Sequence, residues 1–233
     1  MKENIKLRVS LKKYLPKIER YINVHIFTTI VHKMTTLLKP GINKILHTFY
    51  SRRNEKIHLR ELARETKMHG QSITRYLDEL EKKKILKSEK EGNLKQYSLL
   101  QNQHVYAILT MFDVEKIQKL PILRKNAIST YINALPEPPI FAVVFGSTAK
   151  ENFREDSDID ILIVTHSRID AKKAEKEADA LNAMKISTFQ ITFKEFKKEL
   201  KLKEDKVIQS ALATGYPVLN HIYYYEVLQN ERV

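Results

Sequence analysis

The sequence of 233 residues contains no cysteine, so it forms no disulfide and offers no thiolate metal site, a usage that fits an intracellular protein. Long apolar runs are missing as well. The longest near the N-terminus, Val24 to Val31, holds His25 and two threonines and is too short to span a bilayer. No signal-peptide cleavage pattern follows it, so a cytoplasmic protein without membrane attachment is expected. No internal repeat or low-complexity segment is present. A chain of this length has room for two small domains with cores of their own.

Acidic residues are scarce in the first hundred positions. Residues 1–33 carry eight Lys and Arg against two Asp and Glu, and residues 34–101 carry fifteen against eight. The balance is four against three over 102–139 and fourteen against fifteen over 140–233. The whole excess of a chain with net charge +13 therefore lies in its N-terminal part. That asymmetry is expected if this part meets a polyanion and the remainder does separate work.

The most informative stretch runs from Ile140 to Val164, IFAVVFGSTAKENFREDSDIDILIV. Two apolar runs, Ile140 to Phe145 and Ile159 to Val164, read as strands around a polar turn. The connector from Ser147 to Ser157 is too short for a parallel crossover, so the strands are expected to be antiparallel neighbours. Gly146-Ser147 and the cluster Asp156 to Asp160 then meet at one end of a sheet. Side chains two apart share a strand face, so Asp158 and Asp160 converge on one ion while Ile159, Ile161 and Ile163 enter a core. Gly146 permits a tight exit from the first strand, and Ser147 is expected to cap a short helical turn whose N–H groups face an anion. A solvated turn has the same composition, but not Gly146-Ser147 at this distance between two apolar runs. An EF-hand loop is excluded by Ile161, which stands where that loop needs glycine.

Gly146-Ser147, ten residues, then Asp158 and Asp160 resembles the GS-x10-DxD signature of the DNA polymerase beta-like nucleotidyltransferase superfamily, in its minimal form. The resemblance covers roughly residues 140–225. It implies that Gly146 and Ser147 hold a nucleoside triphosphate, with Lys150 as a further phosphate contact, and that Asp158 and Asp160 are catalytic and bind two magnesium ions. Two features depart from the pattern. Lys150 is followed by Glu151 where a glycine is common. Active members also carry a third carboxylate on the next core strand, whereas Ile186 to Ile191 holds no Asp or Glu and Gln190 is its nearest polar candidate.

Earlier in the chain, Ile42, Ile45, Leu46 and Phe49 mark a first helix from Gly41 to about Ser51, and Leu59, Leu62 and Ala63 a second. A third begins near Gln71 and buries Ile73, Leu77 and Leu80. Two alternating runs, Leu86 to Lys90 and Leu94 to Leu99, follow as a hairpin around Glu91, Gly92 and Asn93. This order resembles a winged helix-turn-helix. That resemblance places Gln71, Ser72, Thr74 and Arg75 against DNA base edges and Lys87, Lys90 and Lys95 against phosphates. A winged helix used only for protein contacts is the plainer alternative.

The expected fold class is mixed α+β, a winged helix-turn-helix followed by a small mixed-sheet nucleotidyltransferase fold. The divisions are a basic extension at 1–40, with Met34 as an alternative start, the winged helix at 41–101, a helical connector at 102–135 and the nucleotidyltransferase domain at 136–233. The connector reads as two helices, His104 to Lys119 with the stripe Val105, Ile108, Leu109 and Phe112, and Ile122 to Leu135. The first is suited to pairing two copies in a homodimer, and the second is suited to pack under the sheet. Beyond Val164, Ala171, Ala174, Ala178, Leu181 and Met184 form one helix face, and Thr192 to Glu195 has the spacing of a capping box. A further helix, around Val207 to Thr214, stops at Gly215. Tyr223 to Tyr225 read as core closure, and His166 as a residue near a strand end.

Three functions remain open at this point. One is a DNA-bound enzyme transferring a nucleoside monophosphate from an NTP to an acceptor hydroxyl. Another is a transcriptional regulator whose nucleotidyltransferase domain senses nucleotide without turnover. The last, implied by the resemblance, is an antitoxin-type enzyme that modifies a partner protein.

Overall fold

The computed structural model describes residues 38–92 and 94–230. Most of the basic extension, Met34 with it, and Asn93 of the hairpin lie outside the described residues. The first half consists of α1 (Pro40–Ser51), β1 (Ile57–His58), α2 (Leu59–Thr66), α3 (Gly70–Lys82), β2 (Leu86–Glu91) and β3 (Leu94–Leu99). Pro40, counted with the extension on sequence grounds, opens α1, where a fixed φ and a missing N–H cost nothing. α2 ends at Lys67 in the left-handed region, φ 54°. Its neighbour α3 buries Ile73, Leu77 and Leu80 against α1 and α2. β2 and β3 form the expected hairpin, and β1 adds a third antiparallel strand in the order β1-β3-β2. At two residues β1 is too short to leave a periodic signal. The arrangement is that of a winged helix-turn-helix.

The second half begins with α4 (Gln103–Lys119), capped by Asn102, whose side chain accepts from the Val105 N–H at 3.0 Å. Pro121 separates it from α5 (Ile122–Ala134). The apolar stripe of α4 packs on α10 (His221–Asn230), β7 (Tyr216–Leu219) and α1.

The remaining elements are β4 (Phe141–Phe145), α6 (Gly146–Ala149), β5 (Ile159–Thr165), α7 (Lys172–Asn182), β6 (Ile186–Thr192), α8 (Phe193–Leu202) and α9 (Lys206–Thr214). The sheet order is β6-β5-β4-β7. β4 is antiparallel to β5 and β7, and β5 is parallel to β6 through α7. Alternation along the strands divides the core. Ala142, Val144, Ile159, Ile161 and Ile163 pack on α5 and α7, as expected of the second connector helix. Phe141, Val143, Phe145, Leu162 and Val164 face α8, α9 and α10. This second cluster continues without a break into the core of α1, α2 and α3, so the two halves share one apolar interior.

Several expectations change in detail. Leu181 is 69% exposed rather than inward, because α7 ends one residue later and turns away through Ala183 in the left-handed region. The capping box is present, with Thr192 Oγ1 and the Glu195 carboxylate each accepting from the other's backbone N–H. Gly215 ends α9 without a left-handed φ. It is needed for close packing, since a Cβ there would meet Val143 Cγ1 at 2.7 Å and the Val144 carbonyl at 2.9 Å. Tyr224 and Tyr225 are buried, while Tyr223 is exposed and stacks on Phe193.

Candidate functional site

The site forms where β4 ends and β5 begins. Phe145 and Asp160 are register partners, which puts Gly146 directly beside Asp160. Gly146 has φ +66°, and a Cβ on it would run into Asp160 Oδ2. Glycine is therefore required there twice, for the left-handed turn and for the space the carboxylate fills. The next residues form the single turn α6, in which Ser147 is half-buried and Thr148 fully buried. Ser147 does not cap this turn: its N-cap is Phe145, and no side chain performs the capping. The reason is geometric, since the glycine itself turns into the helix and leaves serine inside it.

Asp158, just ahead of β5, is exposed, and Asp160, within the strand, is half-buried. Burial, and then the charge of Asp158, raise the Asp160 carboxyl above its usual range. Two like charges this close are relieved by a shared cation. On the neighbouring strand Ser187 is paired in register with Asp160, and Phe189, whose ring lies 5.3 Å from that of Phe145, shares its face. Gln190 is on the opposite face beside Ile163, where its amide reaches Thr165 Oγ1 at 3.3 Å. The strand period thus removes Gln190 from the site, and Ser187 takes its place. Among the described residues no three His, Asp or Glu side chains gather as a metal cage. The donor set fits one magnesium ion that takes its other ligands from water and phosphate. A second ion lacks a third carboxylate.

Lys150 is exposed at the C-terminal end of α6. His166 lies just past the far end of β5, about 20 Å from Asp160 at 3.3 Å per residue, so it does not approach the site. Two cations that sequence reasoning overlooked grip α6 from behind. Lys116 on α4 donates to the Ala149 carbonyl at 3.1 Å, and the buried Arg124 on α5 donates to Thr148 Oγ1 at 2.9 Å. A basic residue on an amphipathic helix gives no sequence signal that distinguishes such a contact from solvated surface.

At the other end of the molecule, Gln71, Ser72, Thr74 and Arg75 are all exposed on α3. Gln71, Thr74 and Arg75 line one open groove with Leu59 and Lys82. Thr74 Oγ1 donates to the Gly70 carbonyl at 2.9 Å, and the Arg75 guanidinium lies 5.2 Å from the Tyr76 ring centre. The wing is less uniformly basic than expected. Lys95 is tied to Glu81 at 2.8 Å and lies over the Tyr97 ring, and Lys87 is paired with Glu89 at 3.2 Å. Lys87 borders a cleft of about 270 Å³ that Arg53, Tyr106 and Tyr225 also line. Lys90 is exposed near the hairpin tip.

Residues 125–214 match the family described as polymerase beta, nucleotidyltransferase. Within those residues the fold and the site are similar to a polymerase beta-type nucleotidyltransferase domain. The matched stretch begins inside the helical connector, which accords with α5 packing under the sheet. No curated protein matches the chain. Among solved structures, a point mutant of MepR from a multidrug resistant S. aureus clinical isolate is similar over 46% of this chain and 84% of its own. Its identity is 13% and its TM-score 0.32, a likeness that says nothing about function. Among the described residues no helix is long and apolar enough to cross a membrane.

Proposed function

We propose that the protein transfers a nucleoside monophosphate from a magnesium-bound NTP to an acceptor hydroxyl, and that it does so while its winged helix is bound to DNA. The observation that carries this reading is the packing of Asp160 into the space left by Gly146, which sets a carboxylate suited to a metal ion against a turn suited to phosphate. Asp158 and Asp160 would hold one ion, which when bound supplies charge neutralisation and orients the phosphates. Gly146 and Ser147 bind the triphosphate through backbone N–H groups and a hydroxyl, and exposed Lys150 contributes a further cation. The acceptor oxygen bonds to the α-phosphorus and the bond from that phosphorus to the bridging oxygen breaks. Pyrophosphate leaves, and the acceptor's proton goes to water. Exposed Gln71, Ser72, Thr74 and Arg75 on α3 are suited to base edges, and Lys90 is better placed for a phosphate than the paired Lys87 and Lys95.

Ser187 favours a second reading. Its hydroxyl stands opposite Asp160 where a third carboxylate would complete a two-ion site, and a neutral hydroxyl neither anchors a second ion nor takes a proton at neutral pH. A domain of this kind can retain nucleotide binding as a sensor without turnover. The two readings separate in an assay of pyrophosphate release from each of the four NTPs, with magnesium and a cell extract as acceptor source. Release by the wild type that vanishes in Asp158→Asn/Asp160→Asn supports the enzyme. Absence of release with NTP binding retained supports the sensor.

A further inference from the structure

Arg124 is 1% exposed, yet none of the oxygens it reaches belongs to a carboxylate. Nη1 donates to Thr148 Oγ1 at 2.9 Å, and Nη2 donates to the carbonyls of Arg154 and Ser157, each at 2.8 Å. The guanidinium lies 4.1 Å from the ring centre of Phe153. Burial lowers its pKa, but arginine keeps its proton in proteins. A buried cation answered only by neutral oxygens is an unusual arrangement, because charge desolvation is ordinarily offset by an anion.

The three bonds have a common geometry. Thr148 lies in α6, two residues after Gly146, and Ser157 immediately precedes Asp158. Arg154 and Ser157 are already joined by a turn, with Ser157 N–H donating to the Arg154 carbonyl at 3.1 Å and Ser157 Oγ accepting from the Arg154 N–H at 3.0 Å. One rigid fork therefore spans from the phosphate turn to the turn that delivers the first aspartate. Phe153 covers it, so the span is held dry. Arg124 also stands one residue ahead of the stretch matched by the family.

We propose that Arg124 is a positioning residue that sets the distance between the phosphate turn and the aspartate pair, so that one magnesium ion can contact the carboxylates and the triphosphate together. The proposal rests on the reading of this site as a magnesium–NTP site. Lysine cannot substitute, because its ammonium is a point charge without the planar fork. Arg124→Lys keeps the charge and loses the span.

The test uses calorimetric binding of ATP, GTP, CTP and UTP to the full chain, in a magnesium series and in EDTA, with melting midpoints measured alongside. For the NTP that binds tightest, Arg124→Lys is expected to raise the half-saturating magnesium concentration about tenfold. Affinity in EDTA should stay at the wild-type value. Thr148→Val, nearly isosteric, breaks only one arm of the fork and is expected to shift the magnesium requirement in the same direction by about threefold, which decides the matter if Arg124→Lys does not fold. Wild-type magnesium dependence in the folded variants overturns the proposal. So does an equal loss in magnesium and in EDTA that follows a lowered melting midpoint, since that is the mark of a purely structural residue. The reading beneath it fails differently: no NTP binds the wild type in magnesium, or Asp160→Asn binds as well as the wild type, and the proposal falls with it.

Discussion

Gly146 and Asp160 are dependent on each other at the scale of single residues. Alanine at 146 places a side chain on a left-handed backbone and into the carboxylate, so Gly146→Ala should lower stability by about 1–3 kcal/mol. That corresponds to a fall of about 2–12 °C in the melting midpoint. NTP binding should be lost with it, because Asp160 must move. Asp160→Asn should behave oppositely in the absence of metal. The folded-state pKa of Asp160 is raised by burial and by Asp158, so the fold binds the proton more tightly than the unfolded chain does. Stability is therefore greatest below the unfolded value and falls as pH rises through the folded one. Above the folded value that penalty is fully present, and the amide removes it. The melting midpoint of Asp160→Asn in EDTA should rise above the wild type, while magnesium and NTP should no longer raise it further. A wild-type response to magnesium and NTP would place the binding site elsewhere.

Single elements set how much can be read from the amino-acid order. Helices of the winged half carry a clear apolar period, Ile42 to Phe49 and Ile73 to Leu80, and their ends follow from Pro40 and from the break after Ser51. The strand pair around Gly146 was legible for the same reason, since an apolar run, a glycine and an acidic cluster each have local causes. Elements fixed by distant contacts were not legible. β1 exists only because β3 pairs with it, and β7 only because Gly215 brings the chain against β4. Ser187 facing Asp160 depends on a parallel register set by α7, which no local pattern encodes, and so Gln190 rather than Ser187 stood out as the polar candidate. Arg124 and Lys116 carried no signal at all. The base contacts proposed for the exposed residues of α3 have a selective, measurable consequence. Arg75→Ala should weaken binding to a preferred DNA site by about 1–3 kcal/mol while changing binding to random DNA far less. Equal loss on both would reduce Arg75 to a phosphate contact.

For the molecule as a whole, the decisive feature is that the halves are not independent. Asp113 on α4 is fully buried and accepts from Tyr50 Oη of the winged helix at 2.8 Å and from Tyr225 Oη of α10 at 2.9 Å. His221 Nδ1 lies 3.2 Å away, and Arg53 donates to the Gly215 carbonyl at 2.8 Å. With a shared apolar core besides, calorimetry should show one unfolding transition for the described halves rather than two. Asp113→Ala leaves two buried hydroxyls without an acceptor and should cost about 2–5 kcal/mol. The cluster also predicts alkaline sensitivity. Burial, followed by the charge of Asp113, raises the Tyr50 and Tyr225 phenols well above their ordinary value. Their contribution is complete below about pH 10 and is lost as pH rises further, because the unfolded phenols ionise first. Tyr50→Phe should flatten that loss in a pH series of melting midpoints, and an unchanged slope would assign it to other groups.

The most direct measurement uses two labels on one NTP, α-³²P and γ-³²P, incubated with magnesium, a cell extract and either wild type or Asp158→Asn/Asp160→Asn. Nucleotidyl transfer at this site puts the α label, and none of the γ label, into an acid-stable product, and the double variant makes none. Incorporation of the γ label, incorporation that survives loss of both aspartates, or no incorporation of either label at saturating NTP would contradict it.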